Sequence, residues 1–132
     1  KENDFWLDPF KNSGNYYNNF IGSKKDWAEI LDDRDFFSYT PQGDNLIICS
    51  NPPYSIMDKV YERCIELNPV KISLLVAVHS ITPRRLERLS KAGYNLSSIK
   101  LMKVFKWYGM SAIVIFEKDK IPIISYSRKV YR

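Results

Sequence analysis

The sequence predicts an α/β protein: a mostly parallel sheet with helices on both faces, closed by a C-terminal antiparallel hairpin. Three observations predict it. Leu46-Ile47-Ile48-Cys49 and Ile72 to Val78 are short, almost wholly apolar runs, as expected of strands buried on both faces. The stretches between and after them carry apolar residues at helical spacing. The last two strand-like runs, Ile99 to about Phe105 and Ala112 to Phe116, are separated by about six residues. That is too short for a crossover helix, so the two should pair antiparallel.

Each element has a local reason. Phe5-Trp6-Leu7 is an apolar run stopped by Asp8-Pro9, a strand ending in a turn. Ser23 to about Leu31 is expected to be a helix. Ser23 and Asp26 have capping-box spacing, and Trp27, Ile30 and Leu31 share a face. Pro52-Pro53 stops the strand that starts at Leu46. Ser55 and Asp58 form a second capping-box pattern ahead of a helix of roughly 12 residues, whose apolar face is Met57, Val60, Tyr61, Cys64 and Ile65. Thr82 as N-cap, with Pro83 in the first turn, opens another helix, and Gly93 closes it. Residues 118–132 are mixed and expected to be peripheral.

The chain has 132 residues, enough for one domain with a single core, and residues 1–132 are read as one unit. It does not begin with Met, which fits an excised or processed piece of a longer chain. No apolar run approaches the roughly 20 residues of a membrane helix, and no secretory signal pattern is seen, so an intracellular setting is expected, cytoplasmic or nucleoid/nuclear. Cys49 and Cys64 are too few for a disulfide framework or a four-thiolate zinc site, and no metal is expected. The net charge of +5 is unevenly spread. Residues 1–50 carry 5 basic and 9 acidic side chains, whereas residues 84–132 carry 12 and 3. A basic half of this kind is what a polyanion-binding face requires.

Asn51-Pro52-Pro53-Tyr54 is the most specific pattern in the chain. It follows a buried strand and precedes a helix. An amine on a heteroaromatic ring has its lone pair delocalised, so it attacks a methyl donor poorly. Two fixed hydrogen-bond acceptors on its N–H groups would rehybridise the nitrogen and aim it. The Asn51 side-chain oxygen and the Pro52 carbonyl are the candidates. The prolines stiffen the loop and remove competing N–H donors. Tyr54 offers a ring for the base to stack on once it has left its own stack.

Cys49-Ser50-Asn51-Pro52-Pro53-Tyr54-Ser55 resembles motif IV of the S-adenosylmethionine-dependent amino-methyltransferases, Asp/Asn/Ser-Pro-Pro-aromatic. Asn at its first position is more similar to the adenine and glutamine branches than to the cytosine branch. With its small C-terminal hairpin the chain resembles the compact phage-type N6-adenine methyltransferases. That resemblance implies a three-layer Rossmann-like methyltransferase core, here trimmed at its N-terminal half. It implies Asn51, Pro52, Pro53 and Tyr54 as the catalytic residues and S-adenosyl-L-methionine as the cofactor.

Leu7 to Gly14 is similar to the family's motif I, Asp-Pro-Phe-x-Gly-x-Gly, with Asn12 where the first glycine belongs. By that likeness Asp8, Phe10 and Gly14 line the pocket for the methionine moiety and ribose. Asp35 and Phe36 would hold the cofactor's adenine ring. Only 27 positions separate Asp8 from Asp35, too few for the family's complete set of elements. Asp26 and Asp33 are candidates for the carboxylate that grips the ribose.

The substrate expected is nucleic acid, DNA ahead of RNA. Arg84, Arg88 and Lys91 on one helix face could position phosphates, and Lys106 and Trp107, beside Tyr108, could add charge and stacking at the hairpin tip. Arg85 falls on the same helix. His79, at a strand end, could contact the base or a phosphate. So short a chain leaves target recognition to a second subunit or a flanking segment. Two further readings stay open. The chain could be a non-catalytic methyltransferase-like subunit that binds nucleic acid or a partner, or a protein glutamine N-methyltransferase.

Overall fold

The computed structural model describes residues 5–8, 25–27, 45–103 and 109–129. They form six strands and two α-helices in the order β1 (Phe5–Asp8), β2 (Lys25–Trp27), β3 (Leu46–Ser50), α1 (Met57–Leu67), β4 (Lys71–Ala77), α2 (Pro83–Lys91), β5 (Tyr94–Met102) and β6 (Ser111–Lys118). The strands lie side by side as β2-β1-β3-β4-β6-β5. The first four are parallel, while β6 is antiparallel to both of its neighbours. This is the expected α/β, Rossmann-like arrangement, a parallel sheet whose strand order reverses at β1 and β3. The hairpin is present too, but β6 inserts between β4 and β5.

Alternation along the strands builds the core. Ile72, Leu74 and Val76 of β4 pair with Phe116, Val114 and Ala112 of β6, and all six are buried against the helices. The face of α1 that meets them is Met57, Val60, Tyr61 and Cys64, the stripe read from the sequence. Tyr61 meets Phe116 edge to face, with ring centroids 5.9 Å apart. Burial pushes the Cys64 thiol far up, so it stays protonated. Leu86 and Leu89 bring α2 onto the same sheet face. Full burial of such side chains stabilises by about 1.5–3 kcal/mol each before conformational entropy is charged against it. The opposite face holds Ile47 and Leu75, 3% and 7% exposed, so both faces of the central strands are covered. The segments from which the expected third layer would come lie outside the described residues.

Four local readings are corrected. Lys25–Trp27 lies inside the segment expected to be a helix from Ser23 to Leu31, but it is a strand paired in parallel with β1. Sheet hydrogen bonds override helical spacing there. Ser55 does not cap α1. A 3₁₀ turn over Tyr54–Ile56 comes first, Ile56 is the N-cap, and no side chain bonds it. The Asp58 carboxylate meant to complete that box is taken by two arginines of α2. β4 ends at Ala77, because Val78 enters a 3₁₀ turn. β5 starts at Tyr94, five residues before the expected position, and ends at Met102. A bulge between Leu96 and Ser98 shifts its alternation, so Leu96 and Ile99 both meet the core.

Helix ends follow their chemistry more closely. The Thr82 hydroxyl accepts from Arg85 N at 3.3 Å, and Pro83 occupies the first turn. Gly93, at φ +94°, closes α2 in a conformation costly for any residue with a Cβ. Asn68 ends α1 with left-handed backbone and donates its N–H to the Ile65 carbonyl at 3.0 Å.

The two helices are tied by charge. Arg85 Nε and Arg84 Nη2 each donate to Asp58 at 2.8 Å, and Arg88 pairs with Glu62 at 3.4 Å. Arg85, then Arg84, holds the Asp58 carboxyl at about 2, below its usual 3.8. A depressed carboxyl pKa stabilises the fold fully above the unfolded value, and the contribution is lost as pH falls through the folded one. Thermal melts should therefore show a constant stability gap between wild type and Asp58→Asn above about pH 5, closing between about pH 4 and 2. Asp58 is 42% exposed, so the gap is small and shrinks with salt.

Candidate active site at the carboxyl end of the sheet

β1 and β3 are adjacent and parallel, with Leu7 opposite Ile48. Their chains therefore leave the sheet side by side at its carboxyl end. β1 is followed by a return to β2 on one side, and β3 by a crossover to β4 on the other. The crevice outside such a divergence is where open α/β sheets take their ligands. Asp8 ends β1 and Asn51-Pro52-Pro53-Tyr54 follows β3, so topology brings the two motif-bearing segments to one place. The turn Val78–Ser80 leaves β4 at the same end, as does Met110, which leads into the antiparallel β6.

The tetrapeptide is graded in burial. Pro52 is buried, Asn51 and Tyr54 are half-buried, and Pro53 is exposed. The Pro53 carbonyl accepts from Ile56 N at 3.4 Å, opening the 3₁₀ turn. Among the described residues no donor bonds the Asn51 amide oxygen or the Pro52 carbonyl. Among the described residues both acceptors are thus uncommitted. The loop is anchored below by α1, whose first buried residue, Met57, is 1% exposed.

Tyr54 packs its ring against the core, while its hydroxyl is buried without a regular hydrogen-bond partner among the described residues. Burial raises its pKa, and the neighbouring Ser111 hydroxyl works weakly against that. A ring that matters for stacking does not need this oxygen. Tyr54→Phe is expected to fold at least as stably as wild type, with a gain of up to ~1 kcal/mol in urea titration, because it removes an unsatisfied buried polar atom.

The remaining candidates are placed unevenly. His79 is exposed on the turn after β4. Arg84 sits in the first turn of α2, at the carboxyl end of the sheet, already bonded to Asp58. Arg88 and Lys91 lie further along the helix, paired with Glu62 and Glu87. Arg84 and Arg88 therefore tie α2 to α1, whereas Lys91 pairs within α2. Asp26 lies in β2 opposite Leu7. Phe10, Asn12, Gly14, Asp33, Asp35, Phe36, Lys106, Trp107 and Tyr108 lie outside the described residues. No group of His, Cys, Asp or Glu among the described residues could hold a metal ion, and no helix among them is long and apolar enough to cross a membrane.

Sequence reasoning missed two features. One is the Asp58–Arg84–Arg85 cluster, whose only signal was the acid and the arginines each sitting in the first turn of a helix. The other is the return of residues 119–129 across the hairpin. Ile123 N donates to Leu96 O at 3.0 Å, and Arg128 reaches Glu87 on α2 at 2.9 Å. The basic excess of the C-terminal half hinted at its charge but not its position.

No family model and no curated protein matches the sequence. Among solved structures the chain is similar to magnesium protoporphyrin IX methyltransferase (ChlM) from Synechocystis PCC 6803 with bound SAM, at 13% identity and a TM-score of 0.49. That match covers 75% of this chain and 48% of the other. It is also similar to M. jannaschii TYW2 in complex with AdoMet, at 16% identity and a TM-score of 0.42, over 86% of this chain and 57% of that one. The chain thus spans about half the length of either protein. Neither identity is high enough to carry a residue role from those proteins to this chain.

Proposed function

We propose that this chain is an S-adenosylmethionine-dependent methyltransferase that acts on the N6 amine of adenine in nucleic acid, DNA ahead of RNA. The observation that carries the reading is a pair of acceptors uncommitted among the described residues, Asn51 Oδ1 and the Pro52 carbonyl, on a stiff loop at the topological switch point. Both accept from the adenine amine, and their spacing along the loop turns its lone pair out of the ring plane. The half-buried ring of Tyr54 gives the extruded base a face to lie on. The cofactor, when bound, supplies an electrophilic methyl group on a sulfonium. The crevice between the β1 and β3 ends suits it, because it lies beside the acceptors and is reached by the backbone of Asp8. Attack of the amine nitrogen on that methyl carbon would break the carbon–sulfur bond towards sulfur, and the nitrogen would then lose a proton to solvent. No strong general base is needed, since that proton becomes acidic once the bond forms. In this reading Asp8, Phe10, Gly14, Asp35 and Phe36 bind the cofactor, and a second subunit or flanking segment completes target recognition.

The test is methyl transfer from tritiated cofactor to DNA and RNA pools and to a glutamine-containing peptide, with nucleoside digestion to locate the label. Label on adenine N6 supports the reading. Label only on the peptide amide replaces it with protein glutamine methylation. No binding of S-adenosylhomocysteine in calorimetry would leave a non-catalytic subunit.

A further inference from the structure

The C-terminal residues 119–129 run from the far end of β6 back past β5 and along α2. At the end of that path Ser127, Arg128 and Lys129 face Thr82, Pro83, Arg84 and Arg85 across an open cleft of about 420 Å³. We propose that this cleft is a clamp for the phosphate backbone of the nucleic-acid substrate. The inference rests on the reading that the substrate is nucleic acid and adds to it where the strand is held.

Charge points that way. Arg84 and Arg85 share the single carboxylate of Asp58, and Lys91 and Arg128 share that of Glu87. Among the described residues these four cations outnumber the two carboxylates they share, and Lys129 lines the same wall. Arg84 and Arg128 each bond their carboxylate through one terminal nitrogen and are 60% and 56% exposed. Each keeps further N–H donors in the fork geometry that suits phosphate oxygens. The hydroxyls of Thr82 and Ser127 accept from Arg85 N and Lys129 N, and each retains a proton to donate. Among the described residues of the lining, Pro83 is the only apolar side chain, and the rest are cationic or hydroxyl-bearing.

Position points the same way. The cleft opens at the first turn of α2, at the same end of the sheet as the Asn51–Tyr54 loop. Asp58, which holds both arginines, lies four residues beyond Tyr54 in the helix that the loop feeds. A backbone held in the cleft therefore runs beside the loop that receives the base.

The experiment measures binding of a fluorescently labelled 16-base-pair DNA duplex by anisotropy across a salt series. Wild type is compared with Arg128→Gln/Lys129→Gln and with Lys129→Gln alone, whose position is exposed. The double variant is expected to bind at least ~10-fold more weakly at low salt, with a salt slope shallower by about 2, and the single variant by about 1. Calorimetric affinity for the cofactor serves as a control and should not move, and the melting temperature of the double variant should fall only by the small contribution of the exposed Arg128–Glu87 pair. Unchanged DNA affinity and slope in both variants would overturn the clamp, as would a wild-type protein that binds no DNA. A polyglutamate peptide that competes as well as DNA would assign the cleft to an acidic protein partner instead. Methyl transfer to a saturating adenine-containing oligonucleotide separates the two ideas. If it proceeds while the variants bind like wild type, only the clamp fails. If the clamp binds DNA but no adenine is methylated, only the enzymatic reading fails.

Discussion

Replacing Asn51 with alanine is expected to slow methyl transfer by ~10²–10³, equivalent to ~2–4 kcal/mol of barrier, and to leave cofactor affinity nearly unchanged. The side chain is half-buried, and no hydrogen bond holds it among the described residues. It therefore contributes little to the fold, and the melting temperature of the variant should stay within a degree or two of wild type. The loss falls on the chemical step because the amide oxygen bonds the amine most strongly once positive charge develops on nitrogen. In the proposed mechanism the loss belongs in kcat, not in the KM for the cofactor, which would sit on the β1 side of the crevice. Asn51→Asp separates geometry from charge. A carboxylate keeps an acceptor in place, so it should retain more activity than alanine. Single-turnover rates at saturating cofactor and oligonucleotide give the comparison, and equal rates for wild type and Asn51→Ala would remove Asn51 from the mechanism.

Phe116→Ala is expected to have the largest effect on stability, a loss of ~3–5 kcal/mol in urea unfolding with little change in m-value. Phe116 is 1% exposed and lies at the middle of the described core. On the sheet it stands between Ile72 of β4 and Leu96 of β5, and above it lies the edge contact with Tyr61 of α1. Truncation removes the transfer free energy of the ring, the edge-to-face contact and the packing of three elements at once. Sheet and helix are fixed by many other contacts and cannot collapse into the space, so most of the cavity cost is retained. For a domain of this size the melting point should fall by roughly 10 °C or more. Phe116→Leu refills most of the volume and should recover more than half of the loss. Asn51→Ala should spare the fold and slow the proposed chemistry, whereas Phe116→Ala should spare the loop and weaken the fold.

Much of this molecule was legible in the residues because the signals are local. The apolar runs of β3 and β4, the buried stripe of α1, the Thr82-Pro83 start of α2 and the short link between the last two strands all act within one element or its neighbour. So does the most informative feature, since two adjacent prolines after a buried strand stiffen the Asn51–Tyr54 loop whatever else surrounds it. The errors were local signals outvoted by distant partners. Lys25–Trp27 had helical spacing but pairs with β1. Asp58 had cap spacing but is claimed by arginines 26 and 27 residues away. Ser97, within the bulge, bonds the Ile115 carbonyl across the hairpin, a partner no window around it contains.

By itself the sequence determined the strand–loop–helix placement of the tetrapeptide, the apolar face of α1 and the antiparallel sense of the final hairpin. Period, proline geometry and loop length settle these within a few residues. Only the tertiary structure decided that β6 lies between β4 and β5, that Asp8 and Asn51 leave neighbouring strands at one end, and that the C-terminal residues return to α2. Strand order and strand ends are pairings between segments far apart in the chain. Their free energy exists only when the whole sheet is assembled, so no local pattern carries it.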